Sequence, residues 1–382
     1  MKLIATLVVL LSLACAGRGE DLARERVIGQ LEVVATFNGP MPTGVTVSNT
    51  GRIFVNFPRW GDNVEYTVAE VKDGKTAPYP NADINQYIEG NDPANKLVSV
   101  QSVVVDPTGN RLWILDTSSI AFGPVKPGGP KLIAVDLSTN QVVKKIIFPA
   151  DVALPTTYLN DVRFDLHRGA DGMAFITDSS AAGPNGIIIV DLGSGKSWRR
   201  LNDHPSTKAD PVLVPVVEGE ILQMRIPGQP PAPFAVGADG IAISPDGKTL
   251  YYCPLTSRHL YSVSIDALAD RTKSDAEVAA TVRDLGEKGG ASDGLESDAQ
   301  GRVYLSDYEH NAIRRWTTAG TIDTLVHDPR VLWPDTLSLA QDGYLYFTAN
   351  QIERGAGFHN GQDLRQKPYV LFRVKVDGTR IH

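Results

Sequence analysis

The chain has 382 residues, 42% of them apolar and 21% charged, and a net charge of −7. That balance is globular. The acidic surplus and the absence of any Lys or Arg run exclude a nucleic-acid surface, and two cysteines are too few for a disulfide scaffold. No CxxC, HExxH, Walker loop or GxSxG elbow occurs, so no familiar metalloprotease, nucleotide or serine-hydrolase chemistry is written locally.

In chain order, Lys2 precedes an apolar run, Leu3 to Leu13, that is too short to span a bilayer, and Ala14-Cys15-Ala16 offers a small-residue cleavage site. Residues 1–16 are read as a signal peptide, which places the mature chain outside the cytoplasm, extracellular or periplasmic. Acylation of Cys15 is the alternative, and Ser12 stands where a lipobox favours Leu. Cleavage leaves Cys253 as the one certain cysteine; within LYYC it reads as a small buried hydrophobe. No other segment reads as a transmembrane span.

Residues 27–382 read as one domain. After an orphan strand, LEVVATF at 31–37, the same phrase returns six times: an apolar segment, a turn on Gly or Asp-Gly, a second apolar segment with an aromatic, and a polar loop. The copies start at Gly44, Ser102, Asp161, Gly240, Gly294 and Asp335, spaced 58, 59, 79, 54 and 41 residues apart. β-Branched and aromatic residues with PTG, PDG, AQG and QDG turns make each a β-hairpin. Repeats of this size stack because none buries its faces alone. The expected fold is all-β, a six-bladed β-propeller, with YVLFRVKV at 369–376 pairing the N-terminal strand to close the ring.

In an antiparallel meander, the loop entering one hairpin strand and the loop leaving its partner emerge at one end. The entering positions are Thr43, Gln101, Asn160, Asp239, Asp293 and Asp335; the leaving positions are Phe57, Asp116, Asp178, Pro254, Asp307 and Ala349, with Asn350 next. Carboxylates crowded at one ring repel unless solvated, hydrogen-bonded or neutralised. Oxygen ligands suit calcium or another hard divalent cation, and Asn160, Asp161, Asp239, Asp293 and Asp335 form the candidate metal set. The competing reading makes each Asp a turn former. Arg59, Trp60, Gln101, Asp116, Asp178, Asp307, Tyr308 and Asn350 form the candidate set for a small-molecule ligand. Trp333 reads as packing, and Phe122 and Phe358 lie on Gly-rich loops at the same mouth.

At GRIFVNFPRW, the Pro78-Tyr79-Pro80 that follows, the ITD hairpin, GIIIVDLGSGKSWRRL, GIAISPDGKTLYYCPLTSRHLYSV, NAIRRW, WPDTL and the closing LFRV, the chain resembles the major royal jelly protein/yellow family from about Leu31 to Val376. The resemblance implies a secreted six-bladed propeller. In some insect members the central cavity binds biogenic amines, others are linked to dopachrome conversion, and others are nutritional or structural. A weaker similarity runs to regucalcin/gluconolactonase propellers, in which a Glu, amides and an Asp hold a divalent ion; Asn160 and Asp239 match two of those positions, and Thr43 replaces the Glu.

Three functions follow from these readings. The first is a binder of aromatic amines or catechol derivatives, or an isomerase or tautomerase acting on them, with a carboxylate or Tyr moving the proton. The second is a divalent-metal lactonase with Asp239 or Asp293 as base. The third is a non-catalytic envelope or interaction protein. Catalysis itself is left open by the sequence.

Overall fold

The computed structural model describes residues 26–381. Each of the six expected hairpins forms the inner pair of a four-stranded antiparallel sheet. The innermost strands are Val45–Val47, Val100–Val105, Leu159–Asp165, Ala238–Ile243, Ser292–Ser297 and Pro334–Leu339. The sixth blade is finished by Tyr369–Lys375 and then by Leu31–Phe37, the outermost strand, paired from Leu31 with Val374 to Phe37 with Tyr369. Ring closure by the N-terminal strand is therefore as expected. The expected leader, residues 1–16 with Cys15, lies outside the described residues. No helix among the described residues is long and apolar enough to cross a membrane.

Near-continuous apolar runs, such as KLIAVD at Lys131–Asp136 and GIIIVD at Gly186–Asp191, give the strands two buried faces, and the fold places one apolar cluster in each of the six interfaces between blades. Trp113 and Ile188 belong to the cluster between the second and third blades; Tyr252 and Ile189 to the next. Cys253 sits with Leu295 and Leu305 between the fourth and fifth, fully buried. Phe347 and Tyr304 join the fifth and sixth, Ala35 and Val55 the sixth and first, and Phe54 and Ile114 the first and second. The circle of cores has no gap. The long interval of 79 residues between the third and fourth hairpins holds two extra short hairpins, Val216–Val217 with Glu220–Ile221 and Gln223–Met224 with Ala232–Pro233.

The end of the channel away from the ring residues is filled by two arginines. Arg163 reaches from the third blade to the Leu295 carbonyl of the fifth (2.5 Å), and Arg380 donates to the carbonyls of Val47, Val105 and Asp106. They line a residual cavity of about 80 Å³.

Candidate functional site

At the opposite mouth the innermost strands do something the hairpin reading did not foresee. In five blades the register slips at the entering position: between Val100 and Ser102, Leu159 and Val162, Ala238 and Ile241, Ser292 and Leu295, and Pro334 and Leu337. Such bulges re-aim a side chain and bend the strand. They fall on Gln101, Asn160, Asp161, Asp239, Asp293 and Asp335. Two glycines then let neighbouring blades close up, because a Cβ on Gly240 would stand 2.3 Å from the Asp293 carbonyl oxygen, and one on Gly294 would stand 2.5 Å from that of Asp335. The Asp-Gly pairs read as corners are thus points of close backbone approach, and they bring Asp239, Asp293 and Asp335 side by side. Hydroxyls from the second strands hold the slipped backbone: Thr177 donates to the Asp239 carbonyl (2.6 Å), and Ser306 accepts from Gly294 N–H (2.7 Å).

These three aspartates are buried, and none forms an ion pair among the described residues. Trp333 Nε1 donates to Asp293 Oδ2 (2.7 Å), and Asn350 Nδ2 donates to Asp335 Oδ2 (2.7 Å). Burial pushes Asp293 up to about 6, against the Trp333 hydrogen bond. Burial first, and then the neighbouring carboxylates, lift Asp239 and Asp335 well above the usual range. Asp161 is raised by burial and opposed by Arg163, and its Oδ1 accepts from Ser102 Oγ (3.2 Å). Burial and mutual repulsion thus hold the three carboxyls above the usual carboxylate range as one coupled set. Asn160 is buried, and its side-chain amide makes no hydrogen bond among the described residues.

Beside the acids lies an aromatic group. Trp60 Nε1 donates to the Tyr158 hydroxyl (2.6 Å), which donates to Gln101 Oε1 (3.1 Å). Phe122, 63% exposed, stacks on Trp60 at 4.7 Å and lies 5.1 Å from the Tyr158 ring. It is held there by left-handed backbone at Ala121 and Phe122 (φ 51° and 57°). Burial raises the Tyr158 hydroxyl, and Asp239 and Asp335 add to the shift, so the ring stands within electrostatic reach of the acids. Sequence reading missed Tyr158; an aromatic two residues before Asn160 in the entering loop was its signal.

Several expected ligand residues have other partners. Asp116 accepts from Lys131 Nζ (2.6 Å) and from the N–H groups of Val98, Ser99 and Ser118. Asp178 accepts from Arg199 (2.9 Å), Thr157 and Tyr158 N–H. Asp307 accepts from Arg314 (2.5 Å), His310 and Glu309 N–H. All three are fully buried and staple loops to strands. The Arg59 guanidinium is spent on the carbonyls of Val98, Val64 and Asn85. Tyr308 is fully buried, stacked on Trp333 at 4.1 Å, its hydroxyl donating to the Leu255 carbonyl. Asn350 is bound to Asp335, and Phe358 packs beside Trp333 and Tyr308. Of the expected ligand set, Trp60 and Gln101 are linked through the Tyr158 hydroxyl.

The expected calcium set fits poorly. Among the described residues no group of three or more His, Cys, Asp or Glu side chains is arranged to hold a metal ion. Asp239 and Asp335 turn to Asp293, which also accepts from Trp333 Nε1, and the first blade contributes Thr43 in place of an acid.

The regucalcin of Agrobacterium tumefaciens superposes with a TM-score of 0.53 at 14% identity, covering 92% of this chain and 98% of its own. A putative gluconolactonase superposes at 0.56 and 12% identity, covering 93% and 94%. These likenesses show the fold. In sequence, the chain is 28% identical to Protein yellow of Drosophila erecta over 252 residues, 62% of this chain and 43% of the insect protein. Protein yellow of Drosophila melanogaster matches at 27% over the same shares. The chain thus spans less than half the length of these curated relatives. The pattern of the major royal jelly protein family matches residues 98–376, five of the six inner hairpins with the bulged ring positions among them, and the chain is a member of that family.

Proposed function

We propose that the mouth of the channel binds a small aromatic amine or catechol derivative, the ammonium over Asp239, Asp293 and Asp335 and the ring against Trp60, Phe122 and Tyr158. The observation that carries this reading is three adjoining buried carboxyls without a cationic side chain, next to a half-exposed aromatic stack. A buried acid cluster favours a cation from outside, and the ring faces add about 0.5–2 kcal/mol of cation–π attraction. The same acids, Asp293 raised to about 6 and Asp239 and Asp335 raised well above the usual range, are carboxyls able to give and take a proton, so tautomerisation of the bound ring is the catalytic form of this reading. Export through residues 1–16 belongs to the proposal, and a mature protein beginning at Gly17 is its expected sign.

Calorimetry with dopamine and serotonin on the wild type, Trp60→Ala and Asp293→Asn tests it. Each substitution is expected to weaken binding at least tenfold, about 1.4 kcal/mol. No binding of either amine at millimolar concentration, or equal binding by Trp60→Ala, overturns the reading in favour of a non-catalytic envelope protein. Thermal melting with calcium and with a chelator separates the metal alternative: the proposal expects identical curves, and a calcium-dependent rise supports the divalent-ion reading instead.

A further inference from the structure

The extra hairpins between the third and fourth blades fold against the long loop 350–368 of the sixth. Arg225 N–H donates to the Gly357 carbonyl (2.8 Å), Asn360 N–H donates back to Arg225 (2.9 Å), and Arg354 forks Glu218 at 2.7 and 2.5 Å. Between them lies a cavity of about 340 Å³, large enough for a small ligand. It shares no lining residue with the acid ring. Val217, Leu222, Phe358 and Leu364 give it apolar walls.

Glu353 lines this cavity, 5% exposed, and neither of its carboxyl oxygens accepts a hydrogen bond. The nearest cation, Arg354 Nε, stands 3.9 Å away and is committed to Glu218. His359 Nε2 donates to the Glu353 backbone carbonyl (2.9 Å), leaving the carboxyl unserved. The Arg225 guanidinium is spent on the carbonyls of Phe358 and Ile221. Glu220 is exposed at the rim. Burial, reinforced by Glu218, pushes the Glu353 carboxyl up to about 8. A buried carboxyl without a partner costs free energy that a donor from a ligand would recover.

We propose that this cavity is a second binding site, independent of the channel, for a compound with a compact apolar body and one protonated amine. The ammonium takes the place of the Glu353 proton: RNH₃⁺ enters, the carboxyl O–H proton leaves to solvent, and no bond in the ligand changes. Glu218 stays paired with Arg354 and adds its field to the site.

The test is calorimetry of the full chain at pH 6.5, in two buffers of different ionisation enthalpy, with cyclohexylamine as probe and cyclohexanol as its uncharged counterpart. The expected result is cyclohexylamine binding with release of close to one proton, and cyclohexanol binding at least tenfold weaker. Glu353→Gln should abolish the proton release and weaken cyclohexylamine at least tenfold while melting like the wild type. Leu364→Ser, at an exposed wall position, should weaken binding severalfold without changing the proton count. Trp60→Ala should leave both quantities unchanged, which keeps this site distinct from the channel. The proposal is overturned if millimolar cyclohexylamine gives no heat, if cyclohexanol binds equally well, if Glu353→Gln binds with the same affinity, or if Trp60→Ala removes the signal.

Discussion

Asp116, Asp178 and Asp307 end the second strands of their blades, each against Lys131, Arg199 or Arg314; Asp239, Asp293 and Asp335 stand one strand inward and pair with no cation among the described residues. Both sets are buried at the same mouth, and both belong to one residue type. What separates them is a basic residue on a later strand of the same blade. A carboxylate given a cation and several backbone N–H groups becomes a staple. One given only other carboxyls keeps its proton or waits for a cation from outside. Even among the staples burial is felt, since at Asp178 it outweighs the pull of Arg199 and still raises the carboxyl.

The largest expected effect strikes the staples. Lys131→Met leaves Asp116 buried and unpaired, and breaking such a pair from one side costs about 3–5 kcal/mol. Urea unfolding should show that loss; a change under 1 kcal/mol would remove the distinction between the two sets. In the inner ring, Asp335→Asn or Asp239→Asn is expected to be neutral or mildly stabilising, because each removes a carboxyl that the fold must keep protonated.

The pH dependence sharpens the same contrast. The inner acids have folded pKa values raised above the unfolded 3.8, about 6 for Asp293. Their contribution to stability is complete below about pH 4 and is lost as pH rises through 6 and beyond, with a slope of about 1.4 kcal/mol per pH unit for each excess proton held. Melting temperatures of the wild type should fall over that window, and those of Asp239→Asn should fall less steeply. Parallel curves would mean that the inner acids are ionised in the folded state.

A much smaller loss than at Lys131 is expected from the same substitution at a different lysine. Lys288 is fully buried and lies in the fourth blade, where Pro254 stands in place of the staple aspartate; its ammonium donates to the Ser257 carbonyl and forms no ion pair. Burial lowers its pKa. Lys288→Met should change stability by less than about 1.5 kcal/mol, a volume-conserving exchange. A loss equal to that of Lys131→Met would show that a buried lysine needs no acid to matter here.

The fold was legible because hairpin chemistry is local: PTG, PDG and QDG between β-branched runs specify both strand and turn, and six copies leave one way to bury their faces. That Asp239, Asp293 and Asp335 share one mouth followed from topology; their side-by-side placement came from the register slips and the close approach at Gly240 and Gly294. The division between staples and unpaired acids was not legible at the aspartates, since it depends on Lys131, Arg199 and Arg314, at 15, 21 and 7 residues' remove. Tyr308 and Trp60 look alike in sequence as aromatics following a strand, yet one is a sealed stack and the other opens on solvent. Glu353 escaped notice because its burial is made by an inserted segment more than a hundred residues earlier, whose one trace was the widest spacing between hairpins.

Arg163 and Arg380, filling the far end of the channel, turn it into a cul-de-sac. Under the proposed function, a molecule at the acid ring would exchange past the Trp60 and Phe122 side, away from these arginines. For the ligand proposed above, affinity and residence time would then answer to different residues: the buried acids to how strongly it is held at equilibrium, and the left-handed loop carrying Phe122 to how fast it is exchanged.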